Sequence, residues 1–252
     1  MRLETYLLTE GRSKTISKEA AIDLLQDNCK QAISAFEKGY RMYRGVDNKN
    51  DFLYIDPKKG IRRSTSNIPN YYTYILSNHK DWKAYPKRSR SLICATDDLS
   101  ATGYGSGIVY VVFPYDGAKI GVCSGTDIWH SFVNLTSSAT GATTAIQNIF
   151  AKLGLGKSDN SFKVFKGACK KVDTYLKENP DNMESLLFSI NSDTSFTYTG
   201  DFYNNIAKLF SPKGFKLKKI GNSLPSSNEV WTDSECIMVK ETAMDDLYGV
   251  IL

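Results

Sequence analysis

The segment between Ser91 and Gly105 constrains the fold more than any other part of the chain. It opens with the apolar run Ser91-Leu-Ile-Cys-Ala, passes through a polar turn at Thr96-Asp-Asp, and continues through small residues to Gly105. A second apolar run, from Val109 to Pro114, follows. Short apolar runs bounded by turn residues indicate buried strands, and a polar turn supplies a helix cap. The pattern therefore predicts a strand, a short helix and a second strand.

The remaining elements are predicted from periodicity. From Ser17 apolar residues recur at helical spacing until Gly39, which predicts one capped helix, and residues 40–46 alternate as a strand does. The polar segment 47–67 is predicted to be a loop or a short hairpin, and the tail from residue 216 to 252 to form strands. Further helices are predicted over residues 69–82, 142–153, 163–177 and 201–210.

The composition is that of a folded domain. The chain has 252 residues, of which 41% are hydrophobic and 23% are charged, so it can bury a substantial core. We expect an α+β fold with an N-terminal helical region. A single domain is expected over residues 11–252, and residues 134–215 are predicted to be a helical insert in it.

Cysteine, histidine and apolar runs exclude several classes of protein. The five cysteines contain no CxxC pair, and His79 and His130 are the only histidines, so no metal site is predicted. Unpaired cysteines in apolar contexts are typical of a reduced, cytoplasmic protein. Since no apolar run is long enough to span a bilayer, we expect no membrane partner.

Charged residues stand at the ends of two predicted strands. Arg44 ends one strand and precedes Gly45, where a guanidinium fork could grip phosphate. Glu235 directly precedes an apolar run that begins at Cys236, and Asp233 lies two residues earlier on the same strand face. A carboxylate can stabilise positive charge that develops at a sugar carbon. A surface arginine at position 44 and a capping or ion-paired glutamate at position 235 are the structural alternatives.

Three segments occur in a fixed order: Tyr40-Arg-Met-Tyr-Arg-Gly, Ile93-Cys-Ala-Thr-Asp and Asp233-Ser-Glu. This order resembles the Arg–Ser–Glu class of mono-ADP-ribosyltransferases, and the resemblance spans most of residues 40–240. It implies an ADP-ribosyltransferase-like split β-sandwich with NAD as the substrate. It also implies transfer of ADP-ribose to an acceptor with inversion at the ribose carbon and release of nicotinamide.

The resemblance also implies roles for the charged residues. Arg44 and Gly45 would hold NAD, and Glu235 would be the catalytic carboxylate. In this family a Glu-x-Glu motif ends the set, and its first glutamate helps to activate the acceptor. Asp233 takes that place here, with a side chain one methylene shorter.

The middle motif of the family is an aromatic-x-Ser-Thr-Ser strand that supports the nicotinamide pocket. In this chain Ala95 stands where the first serine is expected, beside Thr96, so Ser91 is the nearest upstream replacement. A rival motif, Ser64-Thr-Ser, has the matching letters but follows no predicted strand. Tyr104 is expected to pack against the nicotinamide or the ribose.

The first ten residues end in Leu8-Thr-Glu, just before a polar break at Gly11. This start is similar to the capsid-targeting leaders of internal head proteins of tailed bacteriophages, which a maturation protease removes. The similarity implies a location inside the virion and then in the host cytoplasm, with a host protein or nucleic acid as the acceptor. An ordinary terminal helix is the alternative for this segment.

Two other activities fit the same residues. An NAD glycohydrolase would use the site with water as the acceptor. A basic internal protein with a net charge of +5 could instead bind a host factor or nucleic acid on an inactive transferase-like fold. The resemblance does not identify the acceptor or the oligomeric state.

Overall fold

The computed structural model describes residues 13–59, 69–104, 107–136, 138–158, 160–191 and 195–251. The predicted leader at residues 1–10 and the rival motif at Ser64–Ser66 lie outside these ranges.

The chain is mixed α+β, as predicted. The chain divides into two compact units. Unit 1 comprises Met1–Arg62, Ala84–Asp127 and Phe215–Leu252, and unit 2 comprises Arg63–Lys83 and Ile128–Gly214.

Unit 1 is built on an antiparallel sheet that has nine strands within the described residues. In chain order the strands are β1 (Lys14–Thr15), β2 (Tyr43–Gly45), β3 (Phe52–Ile55), β4 (Leu92–Ala95), β5 (Val109–Pro114), β6 (Lys119–Val122), β7 (Lys216–Lys219), β8 (Glu229–Thr232) and β9 (Cys236–Lys240). Their order across the sheet is β1-β3-β9-β5-β2-β4-β8-β6-β7. The arginine strand β2 is therefore central, with β5 on one side and β4 on the other.

The described α-helices are α1 (Lys18–Asn28), α2 (Lys30–Glu37), α3 (Tyr71–Asn78), α4 (Asp98–Ala101), α5 (Ala139–Lys152), α6 (Phe162–Glu178), α7 (Met183–Asn191) and α8 (Phe202–Leu209). Helices α1, α2 and α4 belong to unit 1, and the others belong to unit 2. Unit 2 is thus helical. It contains most of the predicted insert together with α3, and it also contains α7, which the sequence analysis did not identify.

The predicted strand–helix–strand unit is confirmed as β4, α4 and β5. Asp97 caps α4 because its Oδ1 accepts a hydrogen bond of 2.7 Å from the backbone N–H of Ser100. The strands on either side are almost entirely buried. Local pattern and local capping therefore suffice to define this part of the fold.

The helix predicted over residues 17–39 is interrupted at Cys29. Ser17 caps α1 as expected, with its Oγ accepting from the N–H of Ala20 at 3.2 Å. At the break, Asp116 makes hydrogen bonds with backbone groups that would bond within a continuous helix. Its N–H donates to the carbonyl of Asn28 at 2.6 Å, and its Oδ1 accepts from the N–H of Gln31 at 2.7 Å. These hydrogen bonds from the turn after β5 divide the helix in two.

Strand β3 lies in the segment predicted to be a loop or a short hairpin. Its four residues, Phe52–Ile55, pair with β1 on one side and with β9 on the other. Leu53 is fully buried. The apolar run is short and flanked by polar residues, so it is stabilised by its pairing partners far along the chain more than by its own pattern.

Unit 2 has an aromatic core. The ring of Tyr71 on α3 stacks on Phe165 of α6 with centroids 4.9 Å apart, and it meets the edge of Phe150 on α5 at 5.4 Å. Trp82 donates from its indole N–H to the carbonyl of Phe210 at 2.7 Å. Such contacts fix the helices of this unit through aromatic packing.

Candidate active site

Arg44 lies on the central strand β2 with only 1% of its surface exposed. Its Nη1 donates to the carbonyl of Ile93 on β4 at 3.1 Å. The guanidinium carbon lies 4.9 Å from the centroid of the Tyr104 ring, which is a cation–π contact. Gly45 is the last residue of the strand and pairs with Val109 of β5. The surface-arginine alternative for Arg44 is thereby excluded.

Glu229 is the carboxylate that the sheet brings to this region. It is the first residue of β8 and stands opposite Ala95, the last residue of β4. Its Oε1 lies 2.5 Å from Nη2 of Arg88, and the two side chains are 6% and 1% exposed. The Arg88 guanidinium carbon also lies 5.3 Å from the centroid of the Trp231 ring. This is a buried, charge-assisted pair held against an aromatic face.

Tyr104 couples electrostatically to all of these groups. Burial raises the pKa of its phenol far above the usual range, and the Glu229 carboxylate raises it further. The guanidinium groups of Arg88 and Arg44 act in the opposite direction on the same pKa. A neutral phenol is therefore maintained at physiological pH. We call Arg44, Arg88, Tyr104 and Glu229 the arginine–glutamate cluster.

Thr96 positions the strand that carries Glu229. Its Oγ1 accepts from the N–H of Asn228 at 2.9 Å, and its own N–H donates to the Asn228 carbonyl at 3.0 Å. The Asn228 amide donates to the carbonyl of Cys123 at 2.9 Å. The residue before Glu229 is thus fixed on both sides, and the methyl side chain of Ala95 leaves no hydroxyl opposite the carboxylate.

Ser91 lies at the other end of β4 from Ala95. It is buried, and its Oγ donates to the carbonyl of Arg88 at 3.0 Å. It lies four positions before Ala95, which corresponds to about 13 Å along an extended chain. Ser91 therefore fixes the turn that presents Arg88 and does not replace the missing hydroxyl at position 95.

The structure does not bring Glu235 to Arg44. Arg44 stands opposite Tyr110 of β5, whereas Glu235 directly precedes Cys236, which stands opposite Pro114. Glu235 is thus opposite Tyr115, about 17 Å from the position of Arg44 along β5, and two strands away from it across the sheet. The strand that Glu235 precedes, β9, lies on the far side of β5 from β2.

Glu235 and Asp233 have other partners. The Tyr54 hydroxyl donates to Oε2 of Glu235 at 2.5 Å, and the pKa of nearby Tyr115 is raised to about 12, first by burial and then by Glu235. Oδ2 of Asp233 accepts from the backbone N–H of Lys87 at 3.1 Å. Asp233 therefore supports the turn that carries Arg88, and the predicted carboxylate pair is not a unit.

In the sequence, Glu229 and Glu235 show the same pattern, a carboxylate at the start of a short apolar run, so the pattern does not distinguish them. Glu229 follows a turn beginning at Pro225 and opens the apolar run Val230-Trp, just as Glu235 opens the run after it. From the sequence, Arg88 before the middle strand is expected to be either an exposed charge or a group that reaches phosphate or an acidic target, and the structure buries it beside Glu229. Only the strand order distinguishes these residues from their neighbours.

The cluster combines two buried guanidinium groups, one buried carboxylate and one aromatic ring, which are the kinds of group that bind phosphate and stabilise a cation. Within the described ranges no group of three or more His, Cys, Asp and Glu side chains is placed to hold a metal ion. No described helix combines the length and the apolar character needed to cross a membrane.

The chain matches no protein-family model, and neither the curated proteins nor the solved structures compared with it include a match.

Proposed function

We propose that the protein is a mono-ADP-ribosyltransferase that uses NAD and that its catalytic carboxylate is Glu229. One observation carries the proposal. The arginine strand β2, the middle strand β4 and the carboxylate strand β8 are adjacent in the sheet. The charges of Arg44 and Glu229 both affect the pKa of the Tyr104 phenol, in opposite directions. Of the residue kinds that the family resemblance requires, the arginine and the carboxylate therefore lie in one region, with Glu229 in the role first expected of Glu235, whereas Ala95 replaces the serine of the middle motif. The central sheet of unit 1 would correspond to the family's split β-sandwich.

The proposed reaction breaks the bond between the nicotinamide nitrogen and the ribose carbon of NAD. The bonding electron pair leaves with nicotinamide, which becomes neutral, and positive charge develops on the ribose. The Glu229 carboxylate stabilises that charge. The acceptor nucleophile attacks the opposite face of the ribose carbon and loses its proton, which inverts the configuration there.

The neighbouring residues divide the remaining tasks. Arg44 and Arg88 are suited to the pyrophosphate because a guanidinium fork donates two parallel hydrogen bonds to phosphate oxygens. Tyr104 supplies an aromatic face for the nicotinamide or the ribose. Thr96 acts through Asn228 and is a positioning residue for Glu229.

The proposal extends to the biological setting. The leader-like start at residues 1–10 supports a bacteriophage protein that is processed by a maturation protease, resides in the virion and acts in the host cytoplasm. The acceptor would then be a host protein or nucleic acid. Mass spectrometry of the protein from phage particles tests this part, because a mature N-terminus at Gly11 is expected.

The decisive assay incubates purified protein with labelled NAD and a bacterial lysate. Wild type and Glu235→Gln should label a macromolecule, and Glu229→Gln should not. Both substitutions exchange a carboxylate for its near-isosteric amide, so they are matched controls for each other. Loss of labelling in Glu235→Gln with full labelling in Glu229→Gln would contradict the assignment. Free ADP-ribose without a labelled acceptor would identify an NAD glycohydrolase at the same site.

A second candidate is a binding protein that retains this fold without turnover. The buried Arg88–Glu229 pair favours it, because the carboxylate must exchange a strong partner before it can act on a substrate. That candidate predicts NAD consumption at the background rate in wild type and in both glutamate variants. It also predicts capture of a host factor or nucleic acid.

A further inference from the structure

One side of helix α6 in unit 2 carries four lysines, with Asp173 and Thr174 between the last two. Lys163, Lys166, Lys170 and Lys177 recur at intervals of three, four and seven residues, so they fall on one side of the helix. All four are exposed. We call these four residues the basic face of α6. The face extends over 14 residues, which corresponds to about 21 Å of helix.

The opposite side of α6 is occupied by the core of unit 2. Its buried residues are Phe165, Ala168, Cys169, Val172 and Leu176. The helix is therefore anchored by apolar packing, and its four lysines lie on the exposed side of the helix. Rigid presentation lowers the entropic cost of binding.

The charge of the basic face is not balanced by ion pairs. None of the ion pairs among the described residues includes a lysine of α6. Asp173, which lies between Lys170 and Lys177, accepts from the Tyr198 hydroxyl at 2.9 Å and from the N–H of Phe202 at 2.8 Å, and the exposed Glu178 at the end of α6 is in no ion pair among the described residues. Lys166 lies 5.4 Å from the ring centroid of Tyr203. The face thus presents cations to an external anion.

We propose that the basic face of α6 binds the phosphate backbone of double-stranded DNA without reading its sequence. A line of cations about 21 Å long spans the phosphates of about six base pairs along one strand. All four residues are lysines, whose compact ammonium groups contact phosphate as point charges, and none of the four is an Asn or Gln that could read adenine. An interaction of this kind depends on counterion release and is therefore weakened by salt.

The chemistry of the face favours duplex DNA over other anionic partners. Single-stranded nucleic acid is held by exposed aromatic rings between the cations, and none of the exposed residues of α6 is aromatic. A helix that lies on an anionic membrane inserts an apolar face, but the apolar face of α6 is buried within unit 2. This binding surface shares no residue with the arginine–glutamate cluster, and the inference does not depend on the proposed transferase activity.

The test measures binding of the full chain to a fluorescein-labelled duplex of 20 base pairs by anisotropy, between 50 and 200 mM KCl. Four phosphate contacts predict an affinity that falls on the order of 100-fold over this range. The variant Lys163→Gln/Lys166→Gln/Lys170→Gln/Lys177→Gln should bind at least about tenfold more weakly at 50 mM and lose most of its salt dependence.

A control with the same loss of charge comes from unit 1. Strands β6 and β7 carry Lys119, Lys216, Lys218 and Lys219, and the variant with all four changed to Gln should bind the duplex within about threefold of wild type. Thermal unfolding of both variants reports whether the fold is intact. The inference is overturned if both variants weaken equally, if wild type does not bind the duplex at 50 mM, or if it prefers oligo-dT or vesicles of anionic lipid.

Discussion

Glu229 and Glu235 are six positions apart, and each precedes or opens a buried apolar strand, yet their surroundings differ completely. Glu229 faces a buried arginine, and its carboxylate acts on the pKa of Tyr104, which lies in the turn after α4, together with Arg44 of β2. Glu235 accepts a hydrogen bond from Tyr54 at the opposite end of β5. The comparison shows that the groups around a carboxylate in this sheet depend on which strands pair with the strand that carries it. In this sheet β8 pairs with β4, whereas β9 pairs with β3 and β5.

The strongest test of this comparison is turnover of NAD. Glu229→Gln should lower the rate by about two to three orders of magnitude, because loss of one electrostatic contact with a developing charge typically costs that much. Glu235→Gln should stay within about threefold of wild type. Initial rates of nicotinamide release measure both. Equal losses in the two variants would erase the distinction between the glutamates.

A second test removes the partner of Glu229. Arg88→Met should lower the free energy of unfolding by about 3 kcal/mol, since it leaves a buried carboxylate without its cation. The double variant Arg88→Met/Glu229→Gln should recover part of that loss, because the stranded charge is gone. Urea unfolding of the wild type, both single variants and the double variant gives the coupling energy. Additive losses would mean that the ion pair has no net coupling.

A third test concerns the arginine on the central strand. Arg44→Lys keeps the charge but removes the planar fork, so NAD affinity should fall by at least about tenfold. Arg41→Lys is the matched control: Arg41 is exposed, hydrogen-bonds the Tyr43 hydroxyl at 3.4 Å and lies outside the cluster. Isothermal calorimetry with NAD compares the two. Unchanged affinity in Arg44→Lys would show that Arg44 serves the sheet and not the ligand.

These tests also mark the limit of what the sequence could predict. The strand, helix and strand from Leu92 to Pro114 were predictable because their apolar runs and the Asp97 cap are local features. Arg44 was identified from its position at a strand end. Glu229 was not distinguished from Glu235, because strand order depends on pairings between residues more than 100 positions apart, such as Ala95 with Glu229.

The same limit explains the missed elements. Strand β3 is four residues long, and it is recognisable only beside β1 and β9. The break between α1 and α2 depends on Asp116, which lies on another part of the chain. Local patterns therefore predict which elements form, and distant contacts decide which side chains meet.

The smallest effect is expected from loss of the hydrogen bond between the Tyr54 hydroxyl and the Glu235 carboxylate. Tyr54→Phe removes the hydroxyl that donates to this carboxylate and should lower the free energy of unfolding by about 1 kcal/mol, because a partly exposed hydrogen bond contributes little. NAD turnover should not change. Tyr40→Phe is the control, since the half-buried Tyr40 hydroxyl has no hydrogen-bond partner among the described residues. If Tyr54→Phe instead lowered turnover as much as Glu229→Gln, Glu235 would have to be assigned a part in catalysis. The proposed difference in role between the two glutamates would then be wrong.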